Sequence, residues 1–207
     1  MNTSLHRWTS IQCLCLALMA APTALRAAEP QSFMATTEVA GERLQLNGGG
    51  SFYKAAFRVY EAALYTRSPV NSEAAFGALA GAKRLHLVAA RDIRGNELLD
   101  LLVLGAIAAA SPEDAVRLSA GLSQMASRLT SGVQLNRGDS FGFDFVPGRG
   151  TSLLINGDPM GSPIVDAAMF SLLLRPWLGA NPVDAALRQG LLGHAVAQQP
   201  AQLVARR

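Results

Sequence analysis

Apolar and polar residues alternate along Phe33–Val39, again along Arg43–Leu46, and most regularly in Phe141-Gly142-Phe143-Asp144-Phe145. A period of two sends successive side chains to opposite faces of a strand. Lys83–Ala90 repeats the pattern, with Leu85, Leu87 and Ala89 on one face and His86 on the other. Turn chemistry separates these runs. Ala40-Gly41-Glu42 joins the first two, and Pro147-Gly148-Arg149-Gly150 leads from the phenylalanine strand into Thr151–Ile155. Asn156-Gly157 then predicts a type I′ hairpin running on to Met160. Between them lies Asn47-Gly48-Gly49-Gly50, followed by an aromatic and β-branched run from Ser51 to Tyr65. The run is expected to be one long strand, and the glycines a bend before it.

Other segments have helical signals. Asn71–Leu79 begins with a capping residue and has Glu73 in its first turn. Asn96–Ala110 carries Leu98, Leu99, Leu101, Leu102, Leu104 and Ile107, apolar nearly all round, so burial on most sides is expected. Asp100 interrupts that segment, and it is too short for a bilayer core of roughly 30 Å. Ser111-Pro112-Glu113-Asp114 supplies a cap, a proline at the first helical position and acids in the first turn. That helix is expected to reach about Leu129 and to stop at Thr130-Ser131-Gly132. Asp166–Leu174 is a further helix. Asn181-Pro182-Val183-Asp184 repeats the cap-then-proline signal for a last helix to about Leu192, closed by Gly193. Strands followed by and mixed with helices, without repeat or linker, predict one α+β domain.

The first 28 residues follow another logic. His6 and Arg7 precede the uncharged run Ile11–Ala21, and a small-residue stretch ends at Ala27-Ala28. Basic, then apolar, then small is the layout of a secretory signal peptide. The expected organisation is therefore a signal peptide over 1–28, a domain over 29–193 and a flexible C-terminal tail over 194–207. The expected location is the periplasm or outside the cell. Cys13 and Cys15 both fall in the apolar run, so the remainder has no cysteine. That removes disulfides, thiol nucleophiles and thiolate metal ligands from consideration.

Charge changes with that cut. The chain has 18 bases, 15 acids and a net charge of +3. Residues 1–28 hold Arg7 and Arg26 and no acid, which leaves 16 bases against 15 acids, a net +1. The bases are scattered, so nucleic acid is not an expected partner. His86 and His194 are far apart, and no cofactor or metal is expected. A haem is the weaker option, since neither histidine sits in a ligation motif. Gly48-Gly49-Gly50-Ser51-Phe52 lacks the closing glycine of a nucleophile elbow. One constellation stays open. Tyr53, Lys54, Arg58 and Tyr60 are expected on one strand, with Arg91-Asp92 at the end of another. They serve either as surface ion pairs or as a seat for the carboxylate of an apolar ligand.

Five stretches carry a resemblance: LQLNGGG, FRVYEAALYT, RLHLVAARDIRGNELL, GDSFGFDFVPGRGTSLLINGDPMG and SLLLRPWLGANPVDAALRQGLLG, in that order from Leu44 to Gly193. The ordered set resembles the bacterial chalcone isomerase-like family. The resemblance implies an open-faced β-sandwich: a long antiparallel sheet, a layer of helices on one face and a ligand cleft between them. In the family's enzymes an Arg, helped by Thr, Tyr and Asn, promotes closure of a flavanone ring. Carried over, the Arg position falls on Phe52, the Thr near Tyr60, and the Tyr and Asn on Leu98 and Gly105. A phenylalanine cannot hold a phenolate as a cation does, so chalcone cyclisation is not expected. Arg91-Asp92 matches the family's own pair and is expected to fix a strand end onto a helix. The implied function is non-catalytic binding of an apolar or amphipathic, fatty acid-like ligand, with Phe52, Tyr53, Tyr60, Arg91 and Leu98 as ligand-binding residues. The alternatives are an intramolecular lyase or isomerase using Tyr53, Tyr60 or Arg91 on a phenolic substrate, and a structural partner in an envelope complex.

Overall fold

A computed structural model describes residues 33–108, 110–130 and 132–194. The expected signal peptide and nearly all of the expected tail lie outside the described residues.

Seven strands form one antiparallel sheet in the order β1 (Thr36–Val39), β2 (Glu42–Lys54), β3 (Phe57–Thr66), β4 (Lys83–Ala89), β7 (Ser140–Val146), β8 (Gly150–Ile155) and β9 (Asp158–Pro159). A short ribbon pairs β5 (Ile93–Arg94) with β6 (Gln134–Leu135), which sequence patterning did not signal. The helices are α1 (Glu73–Ala78), α2 (Gly95–Ala108), α3 (Pro112–Leu129), α4 (Met169–Leu178) and α5 (Ala185–Leu191). This is the expected antiparallel sheet with a helical layer over one face.

Alternation decides which face is which. Tyr60, Ala62 and Leu64 of β3, Leu85 and Leu87 of β4, and Phe141 and Phe143 of β7 point to the helices and join Leu98, Leu118, Met125, Phe170 and Trp177 in the main core. On the other face Val39, Leu44, Ala63, Tyr65 and Ala82 form a smaller cluster, with Phe33 and Leu46 packed against it. There Phe33 meets His86 edge-on at 6.1 Å, and the Tyr65 hydroxyl donates to Met34 O at 3.0 Å. Arg84 crosses that face too. It donates twice to Asp144, at 2.6 and 2.7 Å, and once to Thr37 Oγ1 at 2.8 Å.

Four expectations are corrected. The glycines do not bend the chain between strands; Gly48, Gly49 and Gly50 lie inside β2 and pair with Leu64, Ala63 and Ala62. Their use is close approach. A Cβ on Gly48 would come within 2.0 Å of Gly190 O, so only glycine lets α5 lie on the strand. The irregularity falls on Asn47, in a register shift between Leu46 and Gly48. The Asn47 amide uses the bulge: it donates to Val70 O at 3.0 Å and to Leu191 O at 2.7 Å, and accepts from Val70 N at 2.7 Å.

The run from Ser51 to Tyr65 is likewise not one strand. It folds back at Ala55-Ala56, with Ala55 at a φ of 54°. Nothing in Lys54-Ala55-Ala56-Phe57 is turn chemistry; the hairpin is imposed by the pairing of β2 with β3. Tyr53 and Lys54 are thereby on one strand, and Arg58 and Tyr60 on the next.

Helix α2 is not buried all round. Leu98, Leu102 and Ala106 form its buried stripe, Leu99, Leu101 and Val103 are half-buried, and Ile107 is exposed. Helix boundaries also move. Ser72, not Asn71, caps α1, through Ala75 N at 3.2 Å. Helix α4 starts at Met169 and runs through Pro176, whose carbonyl accepts from Val183 N at 2.7 Å. Asp184, not Asn181, caps α5, accepting from Leu187 N at 2.8 Å. The signal at Ser111 holds as read, with its hydroxyl accepting from Asp114 N at 3.2 Å.

Candidate functional site

The residues singled out from sequence divide into one cluster and three that stand apart from it. The cluster centres on Tyr60. Its register partner on β2 is Phe52, just before the second register shift in that pair of strands. The two rings stack with centroids 4.9 Å apart and planes 24° from parallel. Tyr60 also meets Phe141 edge-on at 6.0 Å. From α4, Trp177 donates its indole Nε1–H to the Tyr60 hydroxyl at 3.0 Å. Tyr60, Phe141 and Trp177 are buried, and Phe52 is half-buried, so it caps the group on its outer side.

The chemistry of Tyr60 follows from that setting. Burial is the largest influence and pushes its phenol well above the ordinary tyrosine range. The bond from Trp177 opposes the shift, and the negative charge of Asp184 adds to it. Tyr60 is therefore a neutral phenol at any physiological pH. Its oxygen is engaged by Trp177 while its own O–H can donate to another acceptor. It cannot serve as a general base. Trp177 was missed at the sequence level, because a tryptophan among leucines on a helix reads as core. Only the tertiary contact reveals its polar use.

The other three residues have different roles. Tyr53 is half exposed on the arm of the β2–β3 hairpin. Leu98 is fully buried in the α2 stripe, among the residues that build the core. Arg91 forms an ion pair with Glu97 in the first turn of α2 and donates to Asp92 O at 2.8 Å. Its bond to Glu97 raises the Arg91 pKa and lowers that of Glu97. Asp92 accepts from Arg137 N at 2.9 Å. The Arg91-Asp92 pair thus fastens the end of β4 to α2 and to the segment before β7. Arg58 is similarly matched with Glu61 on its own strand.

A surface groove of about 400 Å³ lies elsewhere, between α3 and the segment leading into α4, lined by Arg117, Gly121, Gln124, Ile164, Asp166 and Met169 among others. None of the five sequence-selected residues borders it. Among the described residues no group of three or more His, Cys, Asp or Glu could hold a metal ion. No described helix is long and apolar enough to cross a membrane.

A family model described as chalcone isomerase-like matches residues 27–193. The chain belongs to that family. Among solved structures, this chalcone isomerase-like chain is similar to a fatty-acid binding protein of Arabidopsis thaliana, with a TM-score of 0.55 and 15% sequence identity. The match covers 78% of this chain and 91% of the plant protein. At that identity the likeness establishes the fold. No curated protein matches.

Proposed function

We propose that this chalcone isomerase-like protein is a non-catalytic binder of an amphipathic, fatty acid-like molecule. The ligand's polar oxygen is held by the Tyr60 hydroxyl, and its chain lies between the sheet and the helical layer. The observation that carries this is the Tyr60–Trp177 pair: a neutral phenol, anchored through its oxygen, with its O–H left to donate inside an apolar shell. A polar donor of that kind fixes a ligand's orientation, while the surrounding side chains supply affinity. Phe52 is the gate in this scheme, because its half-buried ring covers Tyr60 and must move aside for a ligand to enter. The fold shared with a protein described as fatty-acid binding supports the same class of ligand.

An isomerase would need a cation to hold a phenolate. Phe52 supplies none, Arg91 is committed to Glu97, and Tyr60 stays neutral. We further propose that residues 1–28 direct the chain out of the cytoplasm and are removed.

The test is native mass spectrometry of the purified protein, followed by titration with a fatty-acid series and the matching alkanes. A co-purifying lipid, or carboxylates binding more tightly than alkanes, is expected. No bound lipid together with no binding across the series defeats the proposal. The N-terminal sequence of protein taken from the cell envelope checks the export step; a retained Met1 would sink it.

A further inference from the structure

The tip of the β2–β3 hairpin carries apolar surface that no other element covers. Phe57 is 74% exposed and Tyr53 51%, and Lys54, Ala55 and Ala56 between them are exposed as well. The tip continues the outer edge of the Tyr60 cluster. Lys54 follows Phe52 by two residues, so both side chains leave β2 on the same face, and Phe57 is the partner of Lys54 across the hairpin. The ring that covers Tyr60 is thus followed at once by an exposed ammonium and an exposed ring.

The neighbouring edge is basic. The Glu97 carboxyl is held below its ordinary pKa first by the bond from Arg91, and in part by the charges of Lys54 and Arg94. Lys54 and Arg94 therefore stand near the first turn of α2, and both are exposed. Arg91 is taken up by Glu97. Among the described residues neither Lys54 nor Arg94 has a carboxylate within ion-pair distance. Of the other acids on this stretch, Asp92 accepts from Arg137 N, and Asp100 is exposed further along α2. Exposed rings beside unmatched bases suit the headgroup layer of an anionic bilayer. The rings lie where headgroups meet acyl chains, and the bases meet phosphate. A stable protein interface would need about 800 Å² per partner, a broader patch than a two-stranded tip offers.

We propose that the β2–β3 hairpin tip docks on an anionic phospholipid surface, with Phe57 and Tyr53 among the headgroups and Lys54 and Arg94 against lipid phosphates. The purpose of the contact rests on the ligand site proposed at Tyr60. Docked this way, the Phe52 gate lies next to the bilayer. An amphipathic molecule then passes from lipid to protein without exposing its chain to water.

The test is hydrogen exchange of the full chain, read peptide by peptide, with and without vesicles of equal parts phosphatidylglycerol and phosphatidylcholine. Exchange at Tyr53–Arg58 is expected to slow on these vesicles and to stay as in buffer on phosphatidylcholine alone. Reading the tip by itself separates it from any contact made by the apolar run 11–21. Lys54→Gln should raise the vesicle concentration that gives half the slowing by about fivefold, the worth of one base at an anionic surface. Phe57→Ser should raise it by about tenfold, while leaving the affinity for a soluble fatty acid unchanged. Unaltered exchange at the tip, equal slowing on phosphatidylcholine alone, or wild-type slowing in both variants overturns the proposal. Fatty-acid binding without slowing at the tip sinks the docking alone, and slowing without fatty-acid binding sinks the ligand site alone.

Discussion

Trp177 and Tyr60, 117 positions apart, are joined by an indole N–H to phenol bond of 3.0 Å inside the apolar layer. It ties α4 to β3 and fixes the phenol oxygen, so the direction of the Tyr60 O–H becomes a property of the fold. Replacing Tyr60 with Phe keeps the ring stack on Phe52 and removes the partner of the indole. The orphaned N–H should cost about 1–3 kcal/mol in chemical denaturation. Under the proposed function, carboxylate affinity should fall while alkane affinity stays. Equal loss for both ligand types would show that Tyr60 contributes only packing.

The Arg91–Glu97 pair makes a weaker, pH-dependent contribution. Both side chains are more than one-third exposed, so solvent screens the pair and its worth is at most about 0.5 kcal/mol. The hydrogen bond from Arg91 holds the Glu97 carboxyl below its ordinary value of 4.5. A depressed folded pKa means stability that is fully present above the unfolded value and lost as pH falls through the folded one. Glu97→Gln should therefore lower Tm slightly at pH 7, and the difference should shrink as the pH falls below the carboxylate range. A difference that does not change between pH 7 and strong acid would contradict the assignment.

Glycines separate by surroundings. Gly48→Ala sets a methyl 2.0 Å from Gly190 O, a backbone atom that cannot step aside without moving α5. A loss of about 3 kcal/mol is expected. Gly77 sits inside α1 with nothing within 4 Å of a built Cβ. Gly77→Ala should raise stability by about 0.5–1 kcal/mol. Thermal melts of the two variants measured together check both signs.

Arg84 and Asp144 span two neighbouring strands on the outer face, and both side chains are largely shielded from water. Asp144→Asn removes the charge while leaving Arg84 in place, and about 3 kcal/mol of stability should be lost. Replacing both by apolar residues of similar size should recover much of that loss, which a double-mutant cycle measures.

Sequence alone settled much of what depends on neighbours in the chain. The period of two in Phe141–Phe145, the Asn156-Gly157 turn and the Ser111-Pro112 helix start all took their expected form, because the determining forces act within a few residues. The ordered family stretches also made the layered architecture legible. Tertiary structure decided what depends on distant partners. Gly48 reads as a bend until α5 is laid against it, and Lys54-Ala55-Ala56-Phe57 has no turn signal until β3 pairs back on β2. Trp177 looks like core until its N–H meets Tyr60. A side chain's charge state and spare hydrogen bonds are set by what surrounds it in space, and no local pattern encodes residues that arrive from a hundred positions away.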